Sequence, residues 1–350
     1  MKGGTMAFIE YYQIMTDIRS SLTGNTDEDI MYLADMSRKY RSSEMSSEII
    51  RGIGRIMQEI LPDDTREEAD AAILSKLLGW KNALAEADLF VRRKELVKAG
   101  KTIGSLITRI EEYGLFADDS FSEYKDFGET FEEVLYLYRR RPQKTLRTPG
   151  LPYAHIYTKY GFILYGTGDL DGAKDALFKA QKWNPVSADI SFGIAEVYRA
   201  AGDMDAFLSI TGSAYNNCFR PESLARYYRN LSLCFSEEKK YREAAVCLQM
   251  SSDFGCPSEI ISAELFHLEE ISGGEKPDLS AEQIRELLQK ENIPVSASEE
   301  ILDLSYTLAR DRIEHESWNG AAYFLKIFCD LTGDEGAKIL LERVQQEIVR

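Results

Sequence analysis

The chain has 350 residues, of which 44% are hydrophobic and 29% charged, with a formal net charge of −16. That length is too great for one compact core and suits an extended array, and the composition is that of an ordinary folded soluble protein. The acidic balance argues against a nucleic-acid-binding body, which needs concentrated Lys and Arg for phosphate, and against an anionic membrane surface as partner.

The N-terminal stretch Met1–Met15 has one lysine and then Glu10, without an apolar core or a cleavage motif, so no signal peptide is expected. The longest uncharged run, Ala206–Phe219, is too short and too polar to span a bilayer. Five cysteines, Cys218, Cys234, Cys247, Cys256 and Cys329, form no C-x-x-C pair. A reduced, cytoplasmic chain follows as the expectation. Cys234 and Cys247 fall among apolar helix positions and read as small core residues.

Residues 1–140 show helical periodicity without a repeat. Phe8–Leu22, Glu28–Tyr40 and Glu44–Leu61 are predicted helices, with polar starts at Asn25-Thr26-Asp27 and Ser42-Ser43 suited to N-caps. Thr65–Ala85 and Glu86–Tyr113 follow, the second with Leu96, Val97, Ile103, Leu106, Ile107 and Ile110 at spacings of three and four. Asp118–Glu133 is acidic and aromatic and leads into a helix ending near Tyr138. Arg139–Pro152, with prolines at 142, 149 and 152, is the predicted boundary. No strand-like alternation of useful length is present. The expected fold class is therefore all-α, with residues 1–140 an irregular helical domain and 141–152 a linker.

Residues 153–257 carry three copies of one pattern. The first is Tyr157, Tyr160, Gly161 and Leu164, then Gly168, Leu170, Ala173, Leu177, Ala180 and Pro185. The second is Ile194, Ala195 and Tyr198, then Gly202, Ala206, Ile210 and Ser213. The third is Tyr228, Leu231, Ser232 and Phe235, then Tyr241, Ala244, Leu248, Ser251 and Pro257. Small residues recur at steps of 34 and 37 in the first helix (Gly161, Ala195, Ser232) and of 33 and 38 in the second (Ala173, Ala206, Ala244). Antiparallel helices need such residues where their backbones approach. The pattern resembles the tetratricopeptide repeat (TPR), and residues 120–257 resemble bacterial TPR proteins through Trp183-Asn184-Pro185 and Arg220–Asn230. The resemblance implies a superhelix of helical hairpins that binds a protein or peptide on its concave face. Residues 258–350 are expected to continue the array: a degenerate hairpin of Ser258–Ile271 and Ala281–Lys290 around a Gly-Gly-Glu-Lys-Pro loop, a fourth copy around Ala309 and Ala321, and a covering end helix, Gly336–Ile348.

In a TPR hairpin the first helix lines the groove. The side chains away from the packing residues are His155, Thr158, Phe162 and Tyr165 in the first copy. They are Asp189, Phe192, Glu196 and Arg199 in the second, and Arg226, Arg229, Leu233 and Ser236 in the third. These twelve are the candidate binding residues. Thr158 and Phe162 occupy places that chaperone-binding TPR proteins give to a Lys/Asn carboxylate grip, which argues against a chaperone adaptor. Arginine fits carboxylates bidentately and stacks on aromatic rings, so an acidic segment with an apolar anchor is the expected ligand. The bland alternative is that the arginines pair with Asp189 and Glu196 and bind nothing.

Other motifs point to no chemistry. Gly100-Lys101-Thr102 lacks the earlier glycine of a phosphate loop, Glu95 standing in its place, and lies on a predicted helix. His155, His267 and His315 are mutually remote and make no metal spacing. No serine sits in G-x-S-x-G. Arg139-Arg140-Arg141 with Lys144 and Arg147 reads as a solvated linker offsetting nearby acids. Asp27–Glu59, with seven acids and five bases, makes a poor DNA-reading helix pair. No catalytic residue, metal or cofactor is expected. The readings that remain are a cytoplasmic binding scaffold, a regulatory sensor answering to a peptide, and an enzyme with its site between the N-terminal domain and the array. Self-association stays open.

Overall fold

The computed structural model describes residues 2–43, 45–61, 79–113, 118, 122–149, 151–273 and 280–349. The chain divides into two compact units, one of Met1–Asp126 with Pro142–Pro152 and one of Phe127–Arg141 with Tyr153–Arg350.

The first unit begins with α1 (Lys2–Ser20), α2 (Thr26–Lys39) and α3 (Ser46–Ile60). Their apolar faces meet in a core of Tyr11, Ile18, Leu33, Ile49, Ile53 and Ile56. Asn25 caps α2 as expected, its side chain accepting from the Asp27 N–H at 3.2 Å. Buried Asp29 ties the preceding turn, accepting from the N–H and hydroxyl of Thr23 at 2.7 and 3.0 Å and from the Gly24 N–H at 3.0 Å. At Gly52 the backbone of α3 runs against α1 side chains; a Cβ there would lie 2.6 Å from the Tyr11 hydroxyl.

Two expectations for this unit are corrected. The single helix 86–113 is two: residues 79–92 (α4) and α5 (Leu96–Tyr113). Lys94 takes a left-handed φ of 61°, and the Glu95 N–H bonds back to the Phe90 carbonyl at 2.9 Å, a Schellman-type close that hydrophobic spacing does not reveal. Gly100-Lys101-Thr102 lies inside α5. The expected helix Thr65–Ala85 falls partly on residues 62–78, outside the described residues. The unit also contains strands: β1 (Ser122–Tyr124) pairs in parallel with β2 (Thr145–Arg147), with Glu123 opposite Leu146. Three residues are too few to show alternation, and the pairing exists only because the chain returns after the helix between them.

That helix, α6 (Thr130–Arg140), groups with the second unit. Phe131 and Leu135 are fully buried, and Phe131 lies 4.9 Å from the Phe219 ring and 6.3 Å from that of Phe324. Its first turn is pinned by Glu132, whose Oε2 accepts from the Gly128 N–H (2.8 Å) and from Asn184 Nδ2 (2.8 Å). Burial pushes the Glu132 pKa up.

The rest of the second unit is stacked helical hairpins: α7 (Tyr153–Thr167) with α8 (Leu170–Trp183), α9 (Ala188–Ala200) with α10 (Met204–Tyr215), and α11 (Pro221–Glu237) with α12 (Tyr241–Asp253). Each helix packs on the next, and first helices also pack on first helices, α7 on α9 and α9 on α11. This is a TPR-like α-α solenoid. Gly161 and Ala173 meet at the first crossing, where a Cβ on Gly161 would lie 2.7 Å from Leu177 and 3.2 Å from the Ala173 carbonyl. Ala244 is fully buried at the corresponding place in the third. In the second, Phe207 rather than Ala206 takes that place, fully buried with Ala195 and Cys234. Phe207 follows Ala195 by the same 12 residues that separate Gly161 from Ala173 and Ser232 from Ala244. The smaller Cys234 side chain packed against it accommodates the ring.

The turns repeat as well. Seven residues after each of Gly161, Ala195, Ser232 and Ala309 stands a residue in left-handed conformation: Gly168 (φ 85°), Gly202 (81°), Lys239 (60°) and Glu316 (54°). Ala309 and Ala321 are fully buried in the hairpin of α15 (Glu299–Glu314) and α16 (Trp318–Thr332), and α17 (Glu335–Val349) packs on α16.

The degenerate hairpin between them is a correction. α13 (Ser258–Ile271) and α14 (Ala281–Lys290) both pack on α12 instead of forming a hairpin with each other. The Gly-Gly-Glu-Lys-Pro loop falls almost wholly on 274–279, outside the described residues. Lys240 joins Glu291 at 3.2 Å. The chain then returns: the Tyr228 hydroxyl donates to the Pro294 carbonyl (2.7 Å) and that of Tyr215 to the Ser296 carbonyl (3.0 Å), with Ile293 and Ala297 buried. This return brings α16 to α6, where the Phe131 N–H donates to the Tyr323 hydroxyl at 3.1 Å.

Candidate functional site

The first helices of the three hairpins carry the predicted residues, and most of their polar groups are satisfied within the array. On α7, His155 is exposed, the Thr158 hydroxyl donates to the Ala154 carbonyl (2.7 Å), and the Phe162 ring sits over Gly193 of α9, where a Cβ would be 3.2 Å from it. The Tyr165 hydroxyl donates to Glu196 Oε1 of α9 at 3.1 Å, and Arg199 Nε donates to the same carboxylate at 3.0 Å. Burial, the largest single effect on Glu196, pushes its pKa up, but the donors Arg199 and Tyr165 together outweigh it and hold the carboxyl low.

Phe192 is fully buried rather than facing an open groove. The Arg226 guanidinium lies over its ring, 5.3 Å from the centroid. Arg229 Nε donates to Glu264 Oε1 of α13 at 2.9 Å. Leu233 packs against the Ala195–Phe207–Cys234 cluster, and the Ser236 hydroxyl donates to the Ser232 carbonyl at 2.8 Å. Asp189 is exposed. The pairing expected under the bland reading is present for Arg199, with Glu196; Arg229 pairs instead with Glu264 of α13, and Arg226 has no carboxylate at ion-pairing distance among the described residues.

Beside Arg226 the second unit opens into a cleft of about 740 Å³. Asp189 of α9, Arg226 and Arg229 of α11, Ile260 of α13, and Tyr323 and Lys326 of α16 line it. The other cations of the cleft are engaged: Arg220 with Glu129, Arg229 with Glu264, and Lys326 with Asp330 at 2.8 Å. Among the described residues lining it, Arg226 is the cation with no carboxylate at ion-pairing distance. Burial pushes its pKa down, against the opposing pull of Asp189 and Glu196. The α16 side chains were missed by sequence reasoning. They lie about a hundred residues from Arg226 in the chain, and no local pattern marks them.

The basic run is not a solvated linker throughout. Arg139 is spent on structure: Nε and Nη2 donate to Glu300 Oε2 (3.0 and 2.7 Å), Nη1 to Asn217 Oδ1 (2.6 Å) and Nη2 also to the Asn216 carbonyl (2.6 Å). Among the described residues no group of three His, Cys, Asp or Glu could hold a metal ion, and no helix is long and apolar enough to cross a membrane.

No family model matches the chain, and no curated protein matches it. Solved structures similar to it include the APC/C hetero-tetramer Cut9-Hcn1, at 14% identity and a TM-score of 0.32 over 91% of this chain and 60% of that one. The C-terminal part of a TPR repeat-containing protein from Cytophaga hutchinsonii matches at 12% identity and 0.29, over 73% of this chain and 97% of that one. The P58(IPK) TPR domain matches at 12% and 0.30, over 97% and 88%. The chain thus spans 60% of the length of the first of these. The second and third of these are described as TPR proteins. At such identities and scores they carry no argument about this chain's site.

Proposed function

We propose that the chain is a binding scaffold, without catalysis of its own, whose ligand is a protein or peptide held on the first-helix face of α7, α9 and α11. The observation that carries this reading is Arg226. Along that face Tyr165, Glu196 and Arg199 satisfy one another and Arg229 is held by Glu264 of α13. The surface ends at a cleft with one guanidinium, over an aromatic ring, that has no carboxylate at ion-pairing distance among the described residues. A partner that presents a carboxylate beside an apolar anchor fits it, because arginine donates in a planar fork and the cleft walls are partly aliphatic. A reducing, cytoplasmic setting suits the five free thiols.

Affinity capture from native lysate with mass spectrometry names the partner, and the double variant Arg226→Ala/Arg229→Ala tests the face. Loss of the partner with an unchanged helical spectrum is the expected result. Full retention would place the interface elsewhere.

A further inference from the structure

We propose that the cleft beside Arg226 is a site for a single carboxylate carried on a small branched apolar group; this rests on the scaffold reading and names the chemistry of its ligand. A half-buried guanidinium is partly stripped of water, and that costs free energy unless a counter-ion replaces it. Contact with the Phe192 ring offsets part of the cost, and an incoming carboxylate would supply the acceptors that a guanidinium takes bidentately.

The neighbouring charges limit how much anion the cleft accepts. Arg220, Arg229 and Lys326 already hold Glu129, Glu264 and Asp330, so one positive centre is free. Asp189 and Glu222 also line the cleft and oppose any negative charge there, so only an anion that reaches the Arg226 guanidinium directly is held. A run of acidic residues is therefore disfavoured, which narrows the acidic segment expected from sequence to one carboxylate. The apolar part has a place to go: Ile260 of α13 and Ile327 of α16 line the same cleft. Its volume, about 740 Å³, falls within the range of small-ligand pockets. A peptide ending in leucine and a free branched acid share this chemistry.

The test is calorimetric titration of the full chain with matched pairs that differ only in the carboxylate. The pairs are N-acetyl-leucine against N-acetyl-leucinamide, and a hexapeptide ending in leucine as free acid against the same peptide as C-terminal amide. At least one acid should bind about tenfold or more tightly than its amide. Tighter binding by the peptide acid assigns the source to a chain end, whereas equal binding by N-acetyl-leucine assigns it to a free acid. Arg226→Gln should erase the preference for acid over amide, and Lys326→Gln should keep it, because Lys326 is already paired on its own helix.

The proposal is overturned if acids and amides bind alike, if neither binds, or if Arg226→Gln keeps the preference. It is also overturned if placing two glutamates before the terminal leucine tightens binding. The scaffold reading fails separately. A partner protein still captured by Arg226→Gln would leave the scaffold standing with the carboxylate site removed, whereas no partner for the wild-type chain would count against the scaffold alone.

Discussion

Arg139 and Glu300 are 161 residues apart in the chain and are joined by two hydrogen bonds to one carboxylate oxygen, from Nε at 3.0 Å and Nη2 at 2.7 Å. The pair ties α6, which precedes the repeats, to α15, which follows them. Both side chains are partly shielded, and Arg139 also holds the turn after α10 through Asn217 and the Asn216 carbonyl. Arg139→Ala or Glu300→Ala should each cost about 1.5–3 kcal/mol, the usual range for hydrogen bonds to charged groups. A double-mutant cycle on urea midpoints should show the two losses to be non-additive. Additive losses would mean that the pair contributes nothing as a pair.

Helix crossings give the second test. Ala173 and Ala244 are fully buried, and leucine at either place overpacks a hairpin, at a cost of about 1–3 kcal/mol. Ala206→Leu should be milder, because Phe207 holds the crossing in that hairpin and Ala206 is half-exposed. Equal urea midpoints for all three variants would refute the register described here.

The repeated turns supply a stabilising prediction. Lys239 and Glu316 occupy the left-handed position that Gly168 and Gly202 hold in the other hairpins. A side chain there is strained, and glycine is not, although glycine loses more freedom on folding. Lys239→Gly and Glu316→Gly should each gain about 0.5–1 kcal/mol net. A lowered thermal midpoint for both would show that their turns carry no strain.

Asp29 makes stability depend on acid. Its backbone partner Thr23 leads the effects that hold its carboxyl below the ordinary range, with the Thr23 hydroxyl and Gly24 adding to it. A depressed folded pKa means the unfolded chain binds the proton more readily. The contribution is therefore complete above the unfolded value of about 3.9 and is lost as pH falls through the folded one. Asp29→Asn should lower the thermal midpoint at neutral pH, and its difference from wild type should shrink as the pH drops below about 4. A difference independent of pH would assign the effect to packing.

The thiols should differ in reactivity. Burial pushes the Cys234 thiol up to about 12 and raises Cys218 and Cys247 further, whereas Cys256 is half-exposed. Since the thiolate is the nucleophile, iodoacetamide should label Cys256 before Cys218, Cys234 and Cys247, which should react only on unfolding. Mass mapping that finds Cys218 or Cys247 modified early would contradict the burial described.

The hairpins could be read from the residues alone because their determinants are local. Gly161, Ala173, Ser232, Ala244, Ala309 and Ala321 mark close approaches between helices joined by a short turn, so the spacing of small and large side chains carries the geometry. The same logic located the cap at Asn25. What followed from contacts between distant segments could not be read this way. Nothing near Thr130–Arg140 shows that α6 packs with Phe219 and Phe324, and the two-residue pattern of a strand cannot emerge from Thr145–Arg147. Ala281–Lys290 has the amphipathic spacing of a repeat helix, but its partner, α12, was settled by competition among apolar faces. The candidate site divides in the same way. Periodicity placed Phe192 of α9 and Arg226 of α11 among the first-helix candidates, although Phe192 is buried and not on an open groove. Their stacking, the pairing that occupies Arg229, and the α16 wall that turns a surface into a cleft were decided only when the chain folded back, because charge pairing and enclosure depend on positions in space and not on intervals along the chain.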